Sequence, residues 1–480
     1  MIINVGVVNY VVAVIINISN GLYNYMKLPK NIYLYFIAVI TLIAATLRFY
    51  HLDWQSLWLD EAATLWYSSS GYTGVWNYVL SGEYNPPLYY WITTFMLNFG
   101  NSEFILRFIP CIVGVLTIPA VYLLGREWRN ETVGLVAAAL LAFSPFHIYY
   151  SQEARAYTLA VLFVVLMLYS YLRATKTKQY TWWIITSACA ALAFWTHFYT
   201  FIPTILIFAH ALISGKFKKD SLKKVMVAVT AFIWFTLPLL LAMEFLIRLR
   251  TGEPPTFGIQ GPGILTDLFW NYGSFIHYVA VTFFILLLIG FGILYFKDKQ
   301  KFYFAAIIIG GCLLITVPLS YKIPMVSRYL LFLLPLLLLI ISEPITYFKN
   351  KKLVALFTIG FIVLGMPTLN TYYTYESKDD WKGYGNWLEQ SVPRGYTLIT
   401  IPTYMDLPLN YYYNATDNGV ILKRASNVTE LEWYTVPGKT FYTMTPDIGT
   451  VDVELKSVAW LQKHTQYVGQ WQHYIYTYKG

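Results

Sequence analysis

Long apolar segments alternate with short polar segments over most of the chain. Eleven apolar segments are close to the 17 to 25 residues that a helix needs to cross a bilayer. They lie near residues 31–50, 104–124, 133–149, 156–173, 181–198, 200–215, 226–243, 278–296, 303–320, 327–346 and 353–370. Since a helix satisfies its own backbone hydrogen bonds, the pattern predicts a polytopic α-helical membrane module over residues 31–370, with about 11 spans.

Lysine and arginine clusters occur in every second polar segment. The clusters are Lys27/Lys30, Arg126/Arg129, Arg173/Lys176/Lys178, Lys216/Lys218/Lys219/Lys223/Lys224, Lys297/Lys299/Lys301 and Lys349/Lys351/Lys352. Basic loops favour the cytoplasmic side of a membrane. This rule predicts a cytoplasmic N-terminus and places the loops 51–103, 150–155, 244–277 and 321–328 outside, together with everything after about residue 371.

Two further apolar stretches are shorter or less clear. The stretch "PPLYYWITTFMLNFG" at 86–100 begins with two prolines, and counting it as a span would move the lysine-rich segment 215–224 to the outer side. We therefore expect an interfacial or re-entrant helix there. Residues 2–18, within an N-terminal segment 1–30, fit either a surface helix or an extra span.

The composition changes at about residue 371. Short strand-like runs, "YTLITIP", "GVILK" and "KTFYTM", alternate with helix-like stretches such as "DDWKGYGNWLEQ" and "VELKSVAWLQKH". Such alternation is typical of a small α/β domain. We expect residues 371–480 to form this domain outside the membrane.

The composition supports a membrane class over a nucleic-acid-binding class. The chain is 57% hydrophobic and 12% charged, and its net charge of +9 comes from the basic loop clusters. We therefore expect contacts with membrane lipids and none with nucleic acid. The three cysteines lie in apolar segments without metal or redox spacing.

Two adjacent carboxylates interrupt the apolar stretch "SLWLDEA" at 56–62, where a charge inside the bilayer would cost about 2.5 to 3.5 kcal/mol. Asp60 and Glu61 lie just outside the first span, and Glu153 lies at the outer end of the third. Burial and neighbouring charge at such a surface can tune a catalytic base. The alternatives are a solvated Glu61 and an Asp60 that caps the following helix.

Basic residues on the outer side oppose the charge rule and so require an anionic partner. Arg155, Lys322 and Arg328 are candidates to bind a phosphate, whereas Arg248 and Arg250 equally fit contacts with lipid head groups. Four other residues are candidates for substrate contacts: Glu83, Tyr84, Asn85 and His197. His197, like His147, has no metal-ligand spacing and is more simply a packing residue.

Six motifs carry a resemblance to a known family. They are "SLWLDEA", "NPPLYYWI", "SEFILRFIPCIVGVLTIPAVYLLGREW", "SPFHIYYSQEARAYTLA", "SRYLLFLLPLLLLI" and "DDWKGYGNWL". Together they resemble the C-type glycosyltransferases of the protein O-mannosyltransferase and lipid A aminoarabinose-transferase superfamily (glycosyltransferase family 39). The resemblance implies that Asp60 is the acidic residue of the first outer loop. Two positions depart from the pattern: Asn85 replaces a common His or Lys, and Glu153 replaces a common Asp.

The resemblance implies an enzyme that moves a sugar from a polyprenyl (dolichyl or undecaprenyl) phosphate to a hydroxyl of a protein, glycan or lipid. Asp60, Glu61 and Glu153 are then the catalytic candidates, transfer inverts the anomeric centre, and the cell membrane is the expected location. No cofactor is expected to be required, with a divalent metal between Asp60 and Glu153 left open. The alternative is a lipid-linked sugar transporter, although transporters place their polar residues near the bilayer midplane.

Overall fold

Each of the eleven predicted apolar segments forms a helix, a bent pair of helices or a helix with a short irregular part. The computed structural model describes residues 32–480 apart from 252–254, 256, 349, 451, 453 and 473–474. The N-terminal segment 1–30, with its two alternative roles, lies outside the described residues. The helices in the membrane module are α1 (Ile32–Phe49), α2 (Leu59–Ser69), α3 (Gly71–Leu80), α4 (Leu88–Met96), α5 (Glu103–Trp128), α6 (Glu131–Ala142), α7 (Pro145–Ser151), α8 (Tyr157–Thr177), α9 (Tyr180–Thr196), α10 (Phe201–Ser214), α11 (Lys219–Thr251), α12 (Gly263–Tyr272), α13 (His277–Lys297), α14 (Lys299–Ala305), α15 (Gly311–Leu319), α16 (Leu334–Ile341) and α17 (Lys351–Thr374).

The helix lengths define a multi-pass membrane protein. Among the described residues, eight helices are long and apolar enough to cross a membrane, or nine if the bent pair α6 and α7 is one span. The segment 198–214 is apolar but shorter, and α9 has 17 residues. The prediction of helices in these segments is confirmed, whereas the count of eleven spans stays a prediction.

The bend between α6 and α7 is 63° and has a local cause. Pro145 is the first residue of α7, and proline has no backbone N–H with which to continue a helix. Buried Arg48 of α1 donates hydrogen bonds to the carbonyl groups of Leu141 and Ala142 at the end of α6, at 3.2 and 3.0 Å. The same guanidinium group lies 2.8 Å from His147 Nδ1. This histidine therefore has a packing role.

The centre of the membrane module is the helix α16 together with the 3₁₀ turns Ser327–Leu333 and Glu343–Tyr347 that flank it. All residues of α16, "LPLLLLII", are buried, as expected for a helix that is apolar on every side. By contrast, α17 exposes much of its apolar surface at the periphery. The 3₁₀ turn Ser327–Leu333 therefore brings Arg328 to the N-terminal end of the most buried segment.

The predicted outer loop 51–103 contains three short helices, α2, α3 and α4. Helix α4 follows Pro86 and Pro87 and is nine residues long. This length excludes a full membrane crossing. Its position at the bilayer surface stays a prediction.

The C-terminal part of the chain is an α/β unit, as the sequence predicts. Its five strands are β1 (Thr397–Ile401), β2 (Ile421–Arg424), β3 (Thr440–Met444), β4 (Gln466–Trp471) and β5 (Ile475–Lys479), in the order β2-β1-β3-β5-β4. β1 pairs in parallel with β2 and β3, and β5 is antiparallel to β3 and β4. The helices are α18 (Trp381–Ser391), α19 (Asp406–Tyr412), α20 (Val428–Tyr434) and α21 (Lys456–His464).

Alternate residues of the central strands enter two apolar cores, one on each face of the sheet. Leu398 packs with Trp381 and Tyr384 on one face, and Ile399 packs with Leu461 on the other. This alternation is the expected result of the two-residue period of a strand.

Candidate active site

The first turn of α2 places Asp60 and Glu61 in different surroundings. Successive helical residues point about 100° apart, so adjacent side chains do not share a face. The Asp60 side chain is 26% exposed, whereas Glu61 is fully buried. Asp60 lies inside the helix, and it is Glu61 that accepts a long hydrogen bond of 3.4 Å from the Trp58 amide. The geometry therefore does not make Asp60 the helix cap.

Two arginines face Asp60 from distant parts of the chain. Asp60 Oδ2 is 3.4 Å from Arg328 Nη2 and 3.8 Å from Arg155 Nη2. Arg155 also donates to the Asp60 carbonyl at 3.2 Å and to the Thr64 hydroxyl at 3.3 Å. The Arg328 guanidinium lies over the Trp58 ring, 5.3 Å from its centroid. The long contacts to Asp60 leave both guanidinium groups able to bind a second anion.

Glu153 is a buried carboxylate without a hydrogen-bond partner for either oxygen in the described part of the chain. It lies in the turn between α7 and α8. Burial raises the pKa of Glu153 to about 7, an effect that the Lys378 ammonium opposes and the Glu61 carboxylate reinforces. Glu153 is therefore poised to change its protonation state near neutral pH.

Other buried polar atoms near Glu153 also have no hydrogen-bond partner within the residues described. They are the Tyr157 hydroxyl, Arg328 Nε and Trp58 Nε1. Asp60, Glu153, Arg155 and Arg328 all act electrostatically on Tyr157, so these groups share one region. Buried polar groups are rarely unpaired in a folded protein. Their convergence indicates a place for a polar ligand.

The environment of Glu61 is the opposite of that of Glu153, because hydrogen bonds satisfy both oxygens of the Glu61 carboxylate. Arg107 donates to Oε1 and Oε2 at 2.7 and 2.8 Å, Lys378 donates at 2.8 Å, and the Ala154 amide donates at 2.8 Å. Burial favours the neutral acid, but Arg107 and Lys378 overcome this effect and lower the pKa of Glu61 to about 2. Glu61 thus ties α2 to the turn that carries Glu153.

Glu83 and Asn85 form a cluster with Tyr90. Glu83 Oε1 accepts hydrogen bonds from the Tyr90 hydroxyl at 2.7 Å and from the Asn85 amide group at 2.8 Å. Tyr84 is half-exposed, and its ring lies 6.3 Å from that of Phe257.

The fold brings His197 to the site, whereas no described contact links Lys322 to it. The His197 imidazole is buried and lies 5.1 Å from the Tyr329 ring and 5.9 Å from the Tyr157 ring. Lys322 lies exposed in the turn after α15, and no contact that the structure describes links it to Asp60. Arg248 is an exposed partner of Glu244. The sequence-based grouping of Lys322 with Arg155 and Arg328 thus has no counterpart in the described contacts.

Two cations of the site were not identified from the sequence. Arg107 lies in the long apolar helix α5, where a charged residue is itself a signal of a specific role. Lys378 directly precedes the motif "DDWKGYGNWL" and reaches back to Glu61 across 317 residues of sequence. No local pattern links Lys378 to the outer loop.

The C-terminal α/β unit contacts the loop that carries Asp60. The Leu57 amide donates to the Tyr412 hydroxyl at 2.7 Å, and this hydroxyl donates to Glu103 at 2.9 Å. The Lys382 amide donates to the Ser56 hydroxyl at 3.1 Å. The α/β unit therefore lies at the same end of the membrane module as the site.

Carboxylates at this site have the donor chemistry that a hard divalent cation prefers. Among the described residues, no group of three or more histidine, cysteine, aspartate or glutamate side chains could hold a metal ion. A metal between Asp60 and Glu153 stays a prediction.

Comparisons with known proteins agree with this architecture. A family described as dolichyl-phosphate-mannose-protein mannosyltransferase matches residues 84–241. An uncharacterized protein from Aquifex aeolicus is 26% identical over 365 residues, which are 69% of this chain and 68% of that protein.

Solved structures share the fold over most of the chain. ArnT from Cupriavidus metallidurans in the apo state superposes with a TM-score of 0.62 at 11% identity, covering 92% of this chain and 97% of ArnT. An oligosaccharyltransferase from Archaeoglobus fulgidus, in a complex with Zn and sulfate, gives a TM-score of 0.58 at 12% identity, covering 92% and 73%. The chain has the C-type glycosyltransferase fold, which confirms the resemblance at the level of the fold. The family match contains three of the six motifs, "NPPLYYWI", "SEFILRFIPCIVGVLTIPAVYLLGREW" and "SPFHIYYSQEARAYTLA".

Proposed function

We propose that this protein is a membrane glycosyltransferase that moves a sugar from a polyprenyl phosphate to an acceptor hydroxyl. One observation carries the proposal: Arg155 and Arg328 meet Asp60 beside the buried, unpaired carboxylate of Glu153. A phosphate-linked donor needs cations at the phosphate and a carboxylate at the incoming hydroxyl. Both are present in one region.

The related structures support the class of donor. The ArnT of Cupriavidus metallidurans has a structure bound to undecaprenyl phosphate, with a TM-score of 0.60. The AglB of Archaeoglobus fulgidus has one with an inhibitory peptide and a dolichol-phosphate, with a TM-score of 0.56. We extend this lipid phosphate chemistry to the present chain because Arg155 and Arg328 hold Asp60 only through long contacts of 3.8 and 3.4 Å.

In the proposed reaction, the acceptor oxygen attacks the anomeric carbon while the bond from that carbon to the phosphate oxygen breaks. The electron pair of that bond leaves with the polyprenyl phosphate, whose added negative charge Arg155 and Arg328 stabilise. A carboxylate accepts the proton of the attacking hydroxyl. A single displacement of this kind inverts the anomeric centre.

The two site carboxylates differ in exposure, and we assign them different roles. Asp60 is partly exposed, so an acceptor that approaches from outside reaches it, and we propose it as the base. Glu153 is buried and unpaired, and we propose that its ionised form accepts a hydrogen bond from a sugar hydroxyl. Glu61 is saturated by cations and amides, which suits a positioning role better than proton transfer.

We also propose the membrane sides and the reaction partners. The basic clusters favour a cytoplasmic N-terminus and place the site and the α/β unit on the outer face of the cell membrane. The acceptor is a hydroxyl of a protein, glycan or lipid. The chemistry above needs no cofactor, and a divalent metal between Asp60 and Glu153 is left open.

The decisive experiment is release of free polyprenyl phosphate. Purified protein in sealed proteoliposomes is given a panel of polyprenyl-phosphate hexoses and pentoses with membrane extracts as acceptors, and lipid products are measured by mass spectrometry. We expect free polyprenyl phosphate with the wild type and none with a Glu153→Gln and Asp60→Asn double variant. Movement of intact donor across the bilayer without release would instead support the transporter alternative and contradict the proposal.

A further inference from the structure

Lys378 is a buried lysine that the C-terminal part of the chain inserts into the site. It lies between α17 and α18, and its side chain is 5% exposed. Lys378 Nζ is 2.8 Å from Glu61 Oε2 and lies over the Tyr149 ring, 5.8 Å from its centroid. Tyr149 belongs to α7, just before the turn that carries Glu153. The ammonium group therefore lies between α2 and that turn.

The Lys378 backbone is anchored independently of its charge. The Ser377 and Lys378 amides donate to Gln55 Oε1 at 3.0 and 3.2 Å, and the Ser377 hydroxyl donates to the same oxygen at 3.1 Å. These contacts join the start of the α/β unit to the loop before Asp60. A change of the Lys378 side chain leaves every one of these bonds intact.

The charges around Lys378 indicate a specific role for this residue. Arg107 binds Glu61 through both of its carboxylate oxygens, so this pair is close to neutral. The amide of Ala154, which follows Glu153 in the chain, donates to the same Glu61 carboxylate that binds Lys378, each at 2.8 Å. The Lys378 charge therefore lies beside the turn that carries the buried, unpaired carboxylate of Glu153 in the described structure. Burial, with Arg107, lowers the pKa of Lys378, while Glu61 and Glu153 raise it. The ammonium and the two carboxylates thus depend on one another.

We propose that Lys378 is a positioning residue for the transfer reaction: from the C-terminal α/β unit it orients Glu61 and supplies the counter-charge for Glu153. This inference rests on the proposed function, because its readout is sugar transfer. It makes the α/β unit part of the working site.

Glu153 is surrounded by charged and titratable groups from several elements, and these groups decide how it responds to the loss of Lys378. Asp60 and Glu61 of α2 favour its neutral form, while Arg328 and Lys378 favour its ionised form. Arg155 lies in the same turn, where its backbone amide donates to the Glu153 carbonyl at 2.7 Å. Five tyrosines also interact electrostatically with Glu153: Tyr89 of α4, Tyr149 and Tyr150 of α7, Tyr157 of α8 and Tyr372 of α17. Removing the Lys378 charge therefore raises the pKa of Glu153 above its starting value of about 7.

The test compares pH profiles of sugar transfer for Lys378→Met, Lys378→Gln and Lys378→Arg. If transfer needs ionised Glu153, the acid limb of the kcat/KM profile should move to higher pH by about one unit or more in the Met and Gln variants. The Gln variant keeps a donor for Glu61, which preserves folding if the Met variant fails to fold. The Arg variant keeps the charge and should restore the wild-type limb.

Tyr412→Phe is the matched control for structure. Tyr412 joins the same two parts of the chain through uncharged hydrogen bonds. The Tyr412→Phe variant should lower thermal stability or turnover without moving the acid limb of the pH profile.

The outcomes separate this inference from the proposed function. An unmoved acid limb in a folded Lys378→Gln protein that still transfers sugar would overturn the inference and leave the function in place. A uniform loss of rate at every pH would assign Lys378 a purely structural role, which also overturns the inference. Absence of transfer by the wild type would instead remove the proposed function.

Discussion

The Asp60 carboxylate lies 3.4 Å from the Arg328 guanidinium, a residue 268 positions further along the chain. The contact is long for an ion pair with ideal geometry, and Arg328 Nε has no hydrogen-bond partner among the described residues. A weakly held pair can open to admit an anionic ligand between its members. The relationship between these two residues motivates the first two predictions.

Asp60→Asn should abolish most of the sugar transfer. The substitution keeps the size of the side chain and most of its hydrogen bonds, but asparagine cannot accept the proton of the acceptor. We expect turnover to fall by about 10² to 10⁴. The measurement is initial rate with saturating donor, with thermal stability as the check of folding.

Asp53→Asn is the control for Asp60→Asn, because Asp53 is an exposed carboxylate of the same loop. It should leave the rate unchanged. Near-normal turnover of a folded Asp60→Asn protein would contradict the assignment of Asp60 as the base. Repeating the wild-type assay with a chelator decides the metal question. A rate that survives chelation leaves direct proton abstraction, and a lost rate favours a metal between Asp60 and Glu153.

Arg328→Ala should weaken both donor binding and turnover, because a cation at the phosphate acts in the ground state and on the leaving group. Arg328→Lys should recover part of the loss, since lysine keeps the charge without the planar fork. Donor KM and kcat are measured separately with a fixed acceptor.

Two basic residues serve as comparisons for Arg328. The sequence predicts a donor role for Lys322, but its exposed position leads us to expect a much smaller effect for Lys322→Ala. Arg248→Ala removes an exposed arginine that pairs with Glu244 and should have no effect. If Arg328→Ala and the wild type have equal donor kinetics, the phosphate-binding role is assigned to Arg155 instead.

The buried network around Glu61 should make stability depend on acid pH. The pKa of Glu61 is about 2 in the folded protein, below its usual value of 4.5. A lowered pKa means that the stabilising effect is complete above about pH 4.5 and is lost as the pH falls towards 2. We expect the wild-type melting temperature in nanodiscs to fall over this range.

Glu61→Gln should remove this pH response and destabilise the protein at pH 7, by about 3 to 5 kcal/mol, because Arg107 and Lys378 would keep buried charges without their partner. Glu389→Gln changes an exposed glutamate and is the control. Equal melting temperatures of Glu61→Gln and the wild type at pH 7 would show that the network contributes little.

The membrane sides follow from the basic clusters and can be tested by labelling. Single cysteines at Asp220 and Gln300 should be protected from an impermeant thiol reagent in intact cells, and one at Asp417 should react. All three positions are exposed in the structure, and the natural cysteines 111, 189 and 312 are replaced first. Strong labelling at Asp220 would reverse the predicted orientation and place the site on the cytoplasmic face.

The sequence alone determines the helical membrane class and the start of the α/β unit. Apolar length is a local property, so it predicts a helix in each of the eleven segments. The short strand-like runs after residue 371 are local as well, and they predict the strands β1, β2 and β3. Strands β4 and β5 were not predicted, because β4 is an edge strand with mostly exposed residues and lacks a regular apolar alternation. Asp60, Glu153, Arg155 and Arg328 were found as candidates because each interrupts or borders an apolar run.

The tertiary structure alone decides which of these charges are paired. Asp60 and Glu61 are neighbours in sequence with similar chemistry, yet the rotation of a helix turns one towards an open region and the other into a saturated network. Lys378 and Arg107 enter that network from distant segments, and no local pattern encodes their distance from Glu61. Protonation depends on burial and on charges within a few ångströms. These quantities exist only once the α/β unit has packed against the outer loop.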